Sequence, residues 1–218
     1  MSSRRLDSFP ESLSEGSTVI IASPGSPTEN AVGLRILSQE GGPADTALVV
    51  TTTESVARTE NRYKQLTTDL GGPALRIVDT VSEGQSLSAP YRETPVVFTP
   101  SAGDLERLVM ALSELSQDPN GSHERRHLLI RSLTPILATA STDRVSRVLD
   151  RISGLRTRTG LSLFGLDYTA HDEDTLSALA EHADGILWVS SSTPEEISFE
   201  YESTDGRRGS ATTETTEN

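Results

Sequence analysis

The stretch Thr18–Asn30, TVIIASPGSPTEN, runs from a β-branched apolar segment straight into a loop of Pro, Gly and Ser. Thr18–Ala22 reads as a short buried strand, because Val and Ile suit a pleated, covered surface and no charge interrupts them. Ser23–Asn30 is built from residues that turn a chain. From Glu29 to Gln39 the apolar Val32, Leu34, Ile36 and Leu37 predict a helix, closed by Gly41 and Gly42. Strand, tight loop and helix in that order form the opening of an α/β domain.

The alternation continues outward. Strands are expected at Thr46–Thr52, Ala74–Asp79, Pro95–Thr99, His127–Leu133, Leu161–Leu166 and Gly185–Val189. Helices are expected at Ser55–Leu70, Ala102–Ser116, Thr142–Thr157 and Asp172–Ala183, the last with acids in its first turn where the helix dipole favours them. Glu196–Glu202 (EISFEYE) alternates Ile197, Phe199 and Tyr201 on one face, the pattern of an antiparallel edge strand. Strands alternating with helices imply a mostly parallel sheet covered on both faces. The organisation expected is a flexible segment 1–8, one domain over 9–202 and a disordered polar tail over 203–218. Residues 80–94 fit no element.

Composition narrows the function. The 218 residues carry 32 acids against 19 Lys and Arg, a net charge of −13. That field repels nucleic-acid phosphates and anionic lipid. There is no cysteine, so disulfides and thiol chemistry are excluded. No apolar run approaches the ~20 residues of a membrane span, and the N-terminus lacks the apolar core of a signal peptide, so a cytoplasmic protein is expected. Lys64 is the only lysine. Acidic excess with scarce lysine and abundant threonine resembles proteins of salt-accumulating archaea, whose carboxylate surfaces stay hydrated in concentrated salt; an ordinary acidic bacterial protein is the alternative.

The first loop stands where a phosphate-binding loop, G-x-x-x-x-G-K-[ST], would stand. Its residues are Ala22, Ser23, Pro24, Gly25, Ser26, Pro27, Thr28 and Glu29. Ala22 and Pro27 occupy the glycine positions, and Pro27 removes an N–H from the phosphate cradle. Thr28 stands where a lysine would neutralise the phosphates, and Glu29 where a hydroxyl would meet magnesium. Two unit charges ~4 Å apart interact by about 4 kcal/mol at an effective dielectric of ~20, so exchanging attraction for repulsion costs several kcal/mol. The plainer alternative is a loop that never served a nucleotide.

The wider chain resembles the RecA-like ATPases of the circadian-clock KaiC type, and especially their divergent haloarchaeal relatives, from about Phe9 to Tyr201. Phe9-Pro10 followed by Gly16-Ser17 and TVII is similar to the family's lead-in, and Pro24-Gly25-Ser26 to the middle of its phosphate loop. ALVVTTTES, from Ala47 to Ser55, is similar to the strand that ends in paired glutamates in active members. HLLIRSLTPIL resembles the magnesium-site strand, and TGLSLFGLDYTAHDEDTLSALAEHADGILWV the later strand, helix and strand. The resemblance implies a three-layer α/β/α RecA-like P-loop NTPase fold with an antiparallel C-terminal edge strand. It also implies ATP and magnesium, and a nucleotide placed between subunits of a ring. The departures point away from that activity. Thr53-Glu54 replaces the glutamate pair, leaving only Glu54 to polarise a water, and Arg131 replaces the magnesium-holding aspartate. No cofactor and no catalytic residue are therefore expected. The reading is a non-catalytic pseudo-ATPase that serves as a regulatory or signalling module with a protein partner. A homo-oligomer is compatible with it, and an atypical ATP-binding protein is the alternative.

Glu29 and Arg131 are opposite in sign, and in the implied fold they end neighbouring central strands. Arg131 is expected to point into the old metal site and to pair with Glu29, directly or through water; two independent surface charges are the alternative. Arg144, Arg147, Arg151 and Arg158, with Arg156 nearby, form the main basic stripe. It suits an acidic partner or weak nucleic-acid binding, but a solvated face pairing with Asp143 and Asp150 is the favoured reading. His123, His127, His171 and His182 lack metal-ligand spacing. Trp188 is expected in the core.

Overall fold

The computed structural model describes residues 15–67, 71–82, 94–117, 124–193 and 196–204. The expectations for residues 1–8, for Phe9-Pro10, for His123 and for nearly all of the tail lie outside them.

The strands are β1 (Thr18–Ser23), β2 (Thr46–Thr51), β3 (Ala74–Asp79), β4 (Val96–Phe98), β5 (Arg126–Ile130), β6 (Ser162–Asp167), β7 (Gly185–Thr193) and β8 (Glu196–Ser203). The helices are α1 (Val32–Glu40), α2 (Val56–Thr67), α3 (Leu105–Leu115), α4 (Thr134–Leu137), α5 (Thr142–Ser153) and α6 (Glu173–Ala180). One eight-stranded sheet runs β4-β3-β2-β5-β6-β1-β7-β8. Every pairing is parallel except β7 with β8, the antiparallel edge foreseen from EISFEYE.

Side-chain alternation divides the interior. Ile20 and Ala22 of β1 face a core completed by α3, α4, α5 and α6. Val19 and Ile21 face the other core, with α1, α2 and the β8 residues Phe199 and Tyr201. The central strands are apolar on both faces because both are covered. Each fully buried Val, Leu or Ile contributes about 1.5–3 kcal/mol, so the sheet is the rigid frame from which the loops project.

Two features of the topology govern the candidate site. The chain leaves β1 for α1 on one face and β6 for α6 on the other, and in open α/β sheets ligands bind beyond the strand ends where such directions diverge. In addition, β6 lies between β1 and β5. The strands preceding Glu29 and Arg131 are thus not neighbours, contrary to expectation.

Boundaries shifted where the backbone had other hydrogen bonds to make. The first helix begins at Val32 rather than Glu29, because Glu29 N–H bonds the Ser26 carbonyl, Ala31 N–H bonds the Thr28 carbonyl, and Ala31 turns to φ 49°. Strand β5 stops at Ile130, so Arg131 follows the strand; Leu133 instead opens the short helix α4, which the sequence reading did not foresee. Trp188 is half-buried rather than core, edge-on to Tyr168 at 5.6 Å, with its Nε1 donating to Glu202 at 3.0 Å.

Candidate functional site

The loop 22–29 sits over the carboxyl ends of β1, β6 and β5, where the sequence placed it. Gly25 takes φ 76°, a left-handed conformation that glycine adopts without strain. Its N–H, the kind of donor that cradles a phosphate, points instead at Asp167 Oδ1, 3.0 Å away. Asp167 ends β6 beside Ser23 in the register. The same oxygen accepts from Thr169 N at 3.0 Å and Thr169 Oγ1 at 2.6 Å. Desolvation pushes the Asp167 carboxyl up, but the bonds from Thr169 and Gly25 outweigh it and hold the group below the usual carboxylate range.

Beyond Gly25 the loop folds down onto the sheet. Pro27 and Thr28 are buried. Thr28 Oγ1 lies 2.8 Å from Ser26 Oγ and 3.3 Å from Thr53 Oγ1. Pro27 rests over Gly165 of β6: a Cβ added there would stand 3.1 Å from Pro27 Cβ and 2.3 Å from the Arg131 carbonyl oxygen. The space left among Ile21, Pro27, Ala31, Leu129, Arg131 and Gly165 is about 10 Å³. A single water needs roughly 10–15 Å³.

Arg131 reaches under this loop and is only 4% exposed. Its Nη1 donates to Glu54 Oε2 at 2.5 Å and to Thr59 Oγ1 at 2.8 Å, and its Nη2 approaches the Thr28 carbonyl at 3.4 Å. Burial draws its pKa down, opposed chiefly by Glu54, and a guanidinium remains a cation in any folded protein. Glu54 also meets Arg58 Nε and Arg62 Nη2, each at 3.3 Å. Arg62 donates to the Glu29 carbonyl at 2.8 Å, tying α2 to the loop. The partner of Arg131 is therefore Glu54 rather than Glu29, whose side chain is exposed. The reason is topological. Glu54 follows β2, which pairs directly with β5, whereas Glu29 sits at the outer rim of the turn preceding α1.

Sequence reading missed two partners, Thr59 and Asp167. It also missed the arginines around Glu54, although Glu54, Arg58 and Arg62 at four-residue steps carried a legible i,i+4 pattern. The link between Asp167 and Gly25 spans the chain and left no local trace.

The basic stripe also differs from its favoured reading. Arg144, Arg147 and Arg151 lie on α5, while Arg158 lies beyond its end. Asp150 pairs with His182 at 2.7 Å, and Arg147 Nε bonds the backbone carbonyl of Asp143 at 3.1 Å. Among the described residues, none of the three α5 arginines forms an ion pair with a carboxylate. His127 is wholly buried, with Nδ1 accepting from Leu161 N at 3.1 Å and Nε2 3.4 Å from Asp45. Burial holds it below the ordinary histidine range. Asp172 accepts from Thr175 N at 2.8 Å as the α6 cap. Among the described residues no group of three His, Asp or Glu is placed to hold a metal ion, and no helix is long and apolar enough to cross a membrane.

The sheet order, the position of the loop and the antiparallel edge define a RecA-like α/β/α fold with a mostly parallel sheet. The chain belongs to DUF7504, described as a family of unknown function, which it matches over residues 16–189. Among proteins of curated function, none matches the sequence. Among the solved structures that share the fold are the following three. The uncharacterized protein PH0321 of Pyrococcus horikoshii, solved in complex with an unknown peptide, is 15% identical with a TM-score of 0.56, over 88% of this chain and 84% of that one. Protein PH0250 of Pyrococcus horikoshii OT3 is 13% identical with a TM-score of 0.51, over 85% and 86%. The flagellar accessory protein FlaH of Methanocaldococcus jannaschii is 14% identical with a TM-score of 0.50, over 87% and 78%.

Proposed function

We propose that this chain is a pseudo-ATPase: a RecA-like domain that works through protein contacts, without nucleotide turnover, in the cytoplasm of a halophilic archaeon. The reading is supported by two contacts that the chain's own side chains make at the loop, Asp167 with the Gly25 N–H and Arg131 with Glu54. Asp167 takes the loop N–H that a phosphate would accept from, and Arg131, held by Glu54, stands in place of the metal-binding acid. Beneath the loop Pro27 packs over Gly165, and the void left among the mostly apolar side chains there is about 10 Å³. These residues do not fit a triphosphate with a divalent ion, so no catalytic step is derived through one. Without nucleotide at a subunit boundary, ring assembly loses its usual support. The interaction role agrees with a fold seen in PH0321 with an unknown peptide and in FlaH, a flagellar accessory protein. The halophilic setting rests on the charge of −13 and the single lysine.

A second reading has one observation in its favour. Arg58, Arg62 and Arg131 surround the single carboxylate of Glu54, an excess of two positive charges beside the loop. An atypical nucleotide site would draw on Arg58 and Arg62 in place of the missing lysine. Thermal unfolding in molar KCl with ATP and magnesium separates the readings. A ligand at ~100 times its Kd stabilises by about 2.7 kcal/mol, and the pseudo-ATPase reading expects no shift.

A further inference from the structure

Between α3 and α5, on the face away from α1 and α2, lies a groove of about 450 Å³. Its apolar lining is Leu105, Val109, Met110 and Val148; Arg144, Arg147 and Arg151 border it with a single acid, Glu106, which leaves an excess of two positive charges. Met110 is 70% exposed, and among the described residues the only other exposed large apolar side chain is Val81, at 43%. Two facts distinguish this place from an ordinary solvated helix face. The arginines stand in a chain of net charge −13, yet among the described residues none of them has a carboxylate ion-pair partner, although Asp143 and Asp150 are on the same helix. An exposed methionine lies in the same groove, and methionine is an adaptable, polarizable contact for a partner's apolar side chain.

We propose that this groove docks an acidic amphipathic helix of a partner protein. Charge complementarity selects the occupant. Arg144, Arg147 and Arg151 are spaced i, i+3 and i+7, a span of about 10.5 Å along the axis. Carboxylates at the same spacing on a partner helix meet them in bidentate geometry, while an apolar residue between those acids covers Met110, Val109 and Val148. A second copy presenting this same face would set arginine against arginine. Nucleic acid would gain three phosphate contacts but meet an apolar floor and the repulsion of the whole chain. In molar salt the screening length is about 3 Å, so long-range steering is lost and contact pairs with apolar burial remain to hold the complex. The inference is independent of whether the loop at Gly25 binds nucleotide.

The test uses the full chain in KCl at a concentration where it is folded. The probe is a fluorescein-labelled, Ala-based helical peptide with Glu at i, i+3 and i+7 and Leu between them; its twin carries Gln for Glu. Anisotropy is expected to show saturable binding of the Glu peptide, weakened about tenfold or more in the twin and in the Arg144→Gln/Arg147→Gln/Arg151→Gln variant. Met110→Gln is expected to weaken it several-fold, and Arg158→Gln to leave it unchanged. All of these positions are exposed, and a melting temperature equal to that of the parent chain confirms that the variants fold. Four results would overturn the proposal: no binding of the Glu peptide up to ~1 mM, equal binding of the Gln twin, indifference to the triple variant, or tighter binding of a single-stranded DNA oligomer than of the peptide. Light scattering that shows a dimer abolished by the triple variant would also overturn it, in favour of self-association.

Discussion

Replacing Arg131 with methionine removes the internal cation while nearly preserving the volume of its stem. The bonds from the guanidinium to Glu54 and to Thr59 are charge-assisted and contribute about 1.5–3 kcal/mol each, while the 3.4 Å approach to the Thr28 carbonyl adds less. Two effects reduce the sum. The guanidinium no longer has to be desolvated, and Arg58 and Arg62 still neutralise Glu54. The expected loss is about 3 kcal/mol, the low end of what breaking a buried pair costs. For a chain of this size that lowers Tm by roughly 6–12 °C. The assay is urea unfolding at fixed KCl, followed by circular dichroism and by the fluorescence of Trp188, the one tryptophan. A cycle with Glu54→Gln isolates the pair, with a coupling of about 1.5 kcal/mol expected. A loss below ~1 kcal/mol, or a coupling within ~0.5 of zero, would refute the claim that this pair holds the loop in place.

Other outcomes follow from the same geometry. Gly165→Ala is expected to cost about 1–3 kcal/mol or more, because the new methyl meets the Arg131 carbonyl and Pro27; unchanged urea stability would contradict the close packing there. Asp167 has a depressed pKa, so its contribution is complete above the unfolded value of about 3.9 and is lost as pH falls through the lower folded value. Asp167→Asn should flatten that part of the acid unfolding curve. His127 is also depressed, so stability should decline as pH falls below about 6.5, its unfolded value, and His127→Gln should remove that slope. Finally, melting in ~0.1 M KCl should lie well below melting in several molar KCl, since self-repulsion among −13 charges is screened only in the latter; equal melting temperatures would count against a halophilic origin.

The fold was legible because its strands are short apolar or alternating runs set between turn residues and amphipathic helices. ALRIVD became β3 to the residue, and EISFEYE became the antiparallel edge. Helix starts were less legible, since Pro27 and the turns before Ala31 compete locally with helix, a balance that periodicity does not report. The turn residues of the loop were legible, and so was an arginine near the carboxyl end of the HLLIRSL strand. Its partner was not. Choosing Glu54 over Glu29 requires the strand order, in which β2 rather than β1 borders β5. Asp167 carried no motif at all; only the pairing of β6 with β1 brings it beside Gly25.

Under the proposed function, Asp167 and Arg131 stand where a nucleotide and its metal would otherwise bind. Isothermal titration of ATP with magnesium into the folded chain tests it most directly. No binding heat is expected up to ~1 mM nucleotide, whereas a Kd below ~100 μM that disappears in Arg58→Gln/Arg62→Gln would contradict the pseudo-ATPase function.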